Sequence, residues 1–414
     1  MKAFPDVRTF RTPSTARSFI ATVLLLHIGG VAQAQSLTEA DVIRLTRAHD
    51  PSVLTAHAAA SLAASEEIRA GLHPNPSLSW AREDSLGDAA GRERQDSVYV
   101  TLPIEVTGRR PAQKAIARSN AALAKARAVR AQRQAVITAL RAFYEVLASE
   151  QQREIAQRAV ARLDEATRVV GRRQQEGTSS GYERVRLEVE AELARTQLQE
   201  AEAATRMARA VFAALLGLDA AEVELRGDFR TLTVDESGRS RVSDALEPLR
   251  SAKAHAQDAH SSAGAAWIPA LSVTGGLLVT DATSTRHGYL AGISVELPIF
   301  SRGQELRAEA AAQQQLVAAE SRLAERELKL DELRATEQLR SARQEIDRFG
   351  KATAERVAVL ERAVQSGYQE GRWTVVDLVD AQAARSAVDR RKLELDLAAK
   401  QAEIALRAVR GEFE

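Results

Sequence analysis

Pro76-Ser77-Leu78-Ser79, followed by Leu102-Pro103-Ile104 and Gly108, returns later in the chain as Pro269-Ala270-Leu271-Ser272, followed by Leu297-Pro298-Ile299 and Gly303. The offset is 193 at the start of the stretch and 195 at its end. Glu176-Gly177 and Glu370-Gly371 form a third matching pair, 194 apart. Three landmarks in one order at a nearly constant offset mark an internal duplication, and a duplication has to be recognised before any fold is read.

Working outward from the landmarks, each copy has the same plan. Copy one opens with a helix from about Leu37 to Leu72, interrupted near Asp50-Pro51. A strand pair follows, in which Val98, Val100, Leu102 and Ile104 alternate with Tyr99, Thr101 and Pro103, a period of two. A polar loop, Gly87 to Gln95, separates its strands. In copy two, Leu271, Val273, Leu277 and Val279 mark one strand. Tyr289, Ala291, Ile293, Val295, Leu297 and Ile299 mark its partner across the loop Asp281 to Gly288. Between Pro111 and Gly171 there is then neither proline nor glycine, which predicts a helical rod of about 90 Å. Val136, Leu140, Phe143 and Leu147 in copy one make a coiled-coil-like seam along it, as do Leu316, Ala319, Leu323, Leu330 and Leu333 in copy two. The Gly177 and Gly371 regions turn the chain into return helices, about Tyr182 to Leu216 and Val375 to Arg410. Four segments result: a leader (1–34), a first repeat (35–226), a polar linker (227–244) and a second repeat (245–414).

Composition excludes several functions. The net charge of +1 over 414 residues gives no nucleic-acid footprint. The absence of cysteine rules out disulfides, thiolate metal sites and a lipidated cysteine anchor. The leader has a basic start (Lys2, Arg8, Arg11, Arg17), an apolar run from Phe19 to Ile28 and the small-x-small pattern Ala32-Gln33-Ala34. It reads as a secretory signal cut after Ala34; the alternative, an uncleaved anchor, is short for a span of ~20 residues. A secreted chain without another apolar helix meets a membrane only through strands. Its four strands fall short of the eight or so of a small barrel, which points to closure by oligomerisation.

Three groups of segments carry a family resemblance. The first is His73-Pro74-Asn75-Pro76-Ser77-Leu78-Ser79 with Leu102-Pro103-Ile104-Glu105 and Gly108-Arg109-Arg110. The second is Trp267-Ile268-Pro269-Ala270-Leu271-Ser272 with Leu297-Pro298-Ile299-Phe300. The third is the run from Gly367 to Ala381. In this order and duplicated, they resemble the TolC-like outer-membrane efflux proteins over essentially the whole mature length. The resemblance implies a mainly α fold with a transmembrane β-barrel: a homotrimer with a twelve-stranded barrel, four strands per chain, continuous with a helical tunnel through the periplasm. It further implies contact with outer-membrane lipid, a periplasmic adaptor protein and an inner-membrane efflux pump. The Pro-Asn-Pro-Ser-Leu-Ser and Pro-Ile-Glu…Gly-Arg-Arg segments are similar to those of heavy-metal efflux systems. A duct for drugs or other small molecules remains open, as does a periplasmic coiled-coil adaptor or scaffold.

Candidate gate residues lie at the turns. Asp377 and Asp380 share a helix face, so three copies would set two acidic rings, which favour cations. At an offset of 194, Glu183 matches Asp377 and Arg186 matches Asp380, so one acid is kept and the other is reversed in charge. An Arg186–carboxylate link between neighbouring helices is the expected latch. Tyr368 and Arg372 match family positions that close the mouth, although the arginine sits one residue early, with Trp373 in its place. The seven histidines include no pair at i, i+4, so no metal site is expected. No cofactor motif or catalytic constellation stands out either.

Overall fold

The computed structural model describes residues 35–85, 93–177, 179–218, 223–232, 234, 245–282, 284–370 and 372–413. Residues 1–34, where the signal is expected, most of the first hairpin loop, Gly371 and most of the 227–244 linker lie outside the described residues. The elements in chain order are β1 (Gln35–Leu37), α1 (Glu39–His49), α2 (Pro51–Gly71), β2 (Ser77–Ser85), β3 (Glu93–Ile104), α3 (Arg109–Gln175) and α4 (Gly181–Leu216). After β4 (Val223–Leu225) come α5 (Glu247–Ala263), β5 (Ala270–Asp281), β6 (Thr285–Glu296), α6 (Gln304–Gln369) and α7 (Val375–Val409). The run α2-β2-β3-α3-α4 thus recurs as α5-β5-β6-α6-α7.

The break expected near Asp50-Pro51 is a change of helix. Asp50 ends α1 and its carboxylate caps α2 by accepting from the Ser52 and Val53 amides, while Pro51 fills the first position, where no N–H is needed. α5 has 17 residues against 21 in α2, so copy two lacks the extra turn, and the place that α1 holds in copy one falls in copy two almost wholly outside the described residues. Two three-residue strands escaped the sequence reading: β1 and β4 pair in parallel, Gln35 opposite Val223. They are too short to show a period.

The strands form one antiparallel sheet in the order β2-β3-β5-β6, with both edges open. Leu78 and Trp80 face Val100 and Val98; Leu102 and Ile104 face Val273 and Leu271; Val273 and Leu277 face Ile293 and Tyr289. All of these side chains lie on one face by the period of two, and nothing covers them: Leu277 is 70% exposed and Tyr289 82%. The opposite face is polar; the Thr101 and Thr274 hydroxyls lie 3.0 Å apart across it. The strand-to-helix corner of copy two needs Gly303, whose φ is +77° and whose Cβ position is 2.5 Å from the Ala266 methyl.

α3, at 67 residues about 100 Å long, is the spine. It packs against α2 and α5 near the sheet and against α4 and α7 farther away, while α6 packs against α5 and α7. Val136, Leu140, Phe143 and Leu147 sit in the main core with Val42, Phe212 and Ile404, as the seam requires. The copy-two seam does not: Leu316, Ala319, Leu323, Leu330 and Leu333 are exposed or nearly so. The buried stripe of α6 is Leu306, Ala310, Val317, Leu328, Ala335 and Leu339. The Leu316 to Leu333 stripe lies on a helix at the flank of the layer, where one chain supplies no neighbour. Flanking helices α2 (Leu54, Leu62, Ile68) and α4 (Val185, Val189, Leu193) also carry exposed apolar stripes.

Candidate functional site

The two turns at the end of the hairpins farthest from the sheet carry the candidate residues. Each return helix starts with the same device. The Ser180 hydroxyl accepts from the Glu183 amide at 3.3 Å, and the Glu183 carboxylate accepts from the Ser180 amide at 3.1 Å and from the Ser179 hydroxyl. The Thr374 hydroxyl accepts from the Asp377 amide at 3.3 Å, and the Asp377 carboxylate accepts from the Thr374 amide at 2.8 Å and hydroxyl at 2.6 Å. These reciprocal capping boxes satisfy amides that open every helix. They give the matched pair Glu183 and Asp377 a structural role, because each carboxylate is folded back onto its own turn. The Thr374 hydroxyl and amide hold the Asp377 carboxyl below its usual range.

Asp380 is different. It is exposed, and its carboxylate has no hydrogen bond or ion pair among the described residues. Of the two acids on that face, it is the one whose carboxylate is not engaged by a helix cap. Arg186, at the matching position of copy one, pairs with Glu190 at 2.8 Å. That bond runs along its own helix, four residues on, so the expected link to a neighbouring helix is not made in this chain. A partner one turn away on the same face is the nearer carboxylate. Arg372 is exposed and pairs with Glu370 across the turn, while its amide bonds to the Gly367 carbonyl at 2.7 Å.

Tyr368 is the one candidate that is buried, at 8% exposure. It joins Leu163, Val170, Leu187, Val375 and Val379 in a cluster that ties both hairpins together. The Arg173 guanidinium lies 4.8 Å from its ring centroid and donates to its carbonyl at 3.2 Å. Burial raises the Tyr368 phenol above its ordinary value, against the pull of Arg173. A second tie lies alongside: Arg162 reaches Glu361 at 3.3 Å and Gln382 at 3.2 Å, and Arg385 faces Glu361 at 3.8 Å. Arg162, Glu361, Tyr368 and Gln382 rim a groove of about 370 Å3 between α3, α6 and α7.

The sequence reading missed the Arg173 stack, since only the fold brings residues 195 apart together. It also missed the seat of Trp373. A Cβ on Gly367 would fall 1.6 Å from the Trp373 ring, so only glycine at 367 admits that indole. The run Gly367 to Trp373 carried the signal, a glycine one turn before a chain reversal followed by an aromatic.

Residues 245–412 match the outer membrane efflux protein family. No curated protein matches the chain. Among solved structures, CusC superposes with a TM-score of 0.73 at 16% identity, covering 90% of this chain and 91% of that one. VceC, an outer membrane protein of Vibrio cholerae, gives 0.73 at 17%, covering 90% and 96%. The CmeC outer membrane channel of Campylobacter jejuni gives 0.72 at 13%, covering 90% and 85%. The match to the outer membrane efflux protein family spans residues 245–412, and the described chain as a whole has the fold of these solved structures.

Proposed function

We propose that the chain is the outer-membrane exit duct of a tripartite efflux system, a passive conduit and not an enzyme. Three copies form the duct, which receives substrates from a periplasmic adaptor and an inner-membrane pump. The observation that carries this reading is the sheet: four strands, apolar and uncovered on one face, polar on the other, with both edges unpaired. Exposed strand edges and a bare apolar face are stable where neighbouring strands close a ring and lipid covers its outside. Twelve strands from three chains suit a water-filled lumen lined by the polar face. The exposed stripes on α2, α4 and α6 lie on the flanks where neighbouring copies would meet. No helix among the described residues is long and apolar enough to cross a membrane, so the sheet is the part that would do so.

We propose heavy-metal cations as the cargo, on the likeness of the His73–Ser79 and Leu102–Arg110 segments to metal-efflux ducts. Three copies of Asp380 would place an acidic ring near the periplasmic mouth, with the tied Tyr368, Arg173 and Arg162 behind it holding the hairpins together. Single-channel recording on trimeric, bilayer-inserted protein tests this. Replacing Asp380 with Ala is expected to lower cation preference more than replacing Asp377, whose carboxylate is already engaged. Unchanged selectivity in Asp380→Ala would remove the ring from the mouth.

A further inference from the structure

The duplication fixes more than the fold of one chain. The junction between the two copies inside the protomer, β3 against β5, has a known register: Ile104 opposite Leu271, Leu102 opposite Val273, Val100 opposite Gly275. β6 is the counterpart of β3, displaced by 195, and β2 is the counterpart of β5, displaced by 193. Both hairpins obey those displacements, since Ser77 pairs with Thr101 as Ala270 pairs with Glu296. The same junction rebuilt between chains therefore has a calculable register.

We propose that β6 of one protomer pairs antiparallel with β2 of the next. Ile299 then lies opposite Leu78 of the partner subunit, Leu297 opposite the partner subunit's Trp80, and Val295 opposite the partner's Arg82. This rests on the trimeric reading above and deepens it by naming the contacts that close the ring. A second observation supports it. β3 pairs with β2 only as far as Thr101, yet it continues as strand through Leu102, Pro103 and Ile104, because β5 holds those three residues. The matching Leu297, Pro298 and Ile299 follow directly on β6 and are not strand. Instead the Ile299 amide turns back onto the Leu297 carbonyl at 2.9 Å. One copy shows what this segment does with a neighbour, and the other shows it without one. The pairing would also set Leu297 and Ile299, both largely exposed, beside apolar side chains on the lipid-facing side.

The absence of cysteine makes the test direct. Directly opposed Cβ atoms lie about 4.5–5.5 Å apart and diagonal ones about 7–8 Å, whereas a disulfide needs about 3.5–4.5 Å. The double variant Leu297→Cys/Trp80→Cys is oxidised in outer-membrane vesicles and run without reductant, beside Leu297→Cys/Leu78→Cys and Leu297→Cys/Arg82→Cys, which report slips of two residues. Opposed pairs alternate between two hydrogen-bonding types, so Glu296→Cys/Ala81→Cys serves as a second variant of the other type. Expected is a covalent trimer from one or both register-matched variants and little from the slipped ones. A covalent trimer only from a slipped variant, or none from any variant that light scattering shows to be trimeric, overturns the register. If every variant and the parent are monomeric in detergent, the trimeric reading itself fails.

Discussion

At the first far-end turn Arg173 and Ser179 occupy the positions that Gly367 and Trp373 hold at the second, 194 residues on. The caps at the two turns are alike, Ser180 with Glu183 and Thr374 with Asp377. Behind them the turns diverge. At the second, an indole lies across a glycine. At the first, an arginine reaches out of its own hairpin to stack on Tyr368 of the other. The difference extends up the return helices. On α7, Lys400 and Glu403 are paired at 2.5 Å and almost wholly buried. Lys400 also donates to the Thr231 carbonyl, and Glu403 accepts from the Val234 amide, so the pair straps the linker to the helix. The matching place on α4 holds Arg209, paired with Glu150 and partly exposed. Duplication has kept what starts a helix and changed what the helix is tied to.

The largest expected effect comes from cutting the strap. Removing one partner of a buried pair strands a charge and costs about 3–5 kcal/mol, whereas a partly exposed pair is worth about 0–1 kcal/mol. Lys400→Met is therefore expected to lower the detergent-state Tm far more than Arg209→Met. The double variant Lys400→Met/Glu403→Leu should recover part of the loss, since no charge is stranded but the Val234 amide loses its partner at about 1–3 kcal/mol for an unpaired buried group, as the Thr231 carbonyl does already in Lys400→Met. Equal losses in Lys400→Met and Arg209→Met would erase this side of the contrast.

Next in size is the indole seat. Gly367→Ala drives a methyl into the Trp373 ring, and overpacking of this kind costs about 1–3 kcal/mol. It should red-shift Trp373 emission and speed amide exchange through residues 372–377. Arg173→Ala at the matching position removes a half-buried ring stack worth about 1–2 kcal/mol and should leave Trp373 emission unchanged. An unshifted spectrum in Gly367→Ala would show that the indole does not need the glycine.

The caps should give the smallest effects and the most nearly equal ones. Ser180→Ala and Thr374→Ala are each expected to cost about 1 kcal/mol, read as faster exchange in the first turn of α4 and of α7. Acid should separate the second cap from its surroundings. The Asp377 pKa is lowered in the folded state, so its contribution is present above the unfolded value of about 3.9 and is lost as pH falls through the folded value. Loosening of the α7 start below about pH 4 that disappears in Thr374→Ala is the expected signature.

Much of this was legible in the chain. Alternation from Val98 to Ile104 and the unbroken run after Pro111 predicted β3 and α3 because their periods are local properties of the sequence. The stripe Leu316 to Leu333 was legible as an apolar face but not its neighbour, because a heptad spacing says that a face is apolar without saying which element covers it. Ser180-x-x-Glu183 and Thr374-x-x-Asp377 are legible as capping boxes by spacing alone, so two of the acids at the turns also start helices. Arg173 on Tyr368 and Lys400 beneath Thr231 join residues more than 165 positions apart, which no local pattern reveals.

The mass of the detergent-solubilised mature protein, measured by light scattering alongside conductance in a planar bilayer, tests ring closure by three chains most directly. Expected is a detergent-dependent particle of three chains that conducts ions; a single chain that stays soluble without detergent and gives no conductance would contradict it.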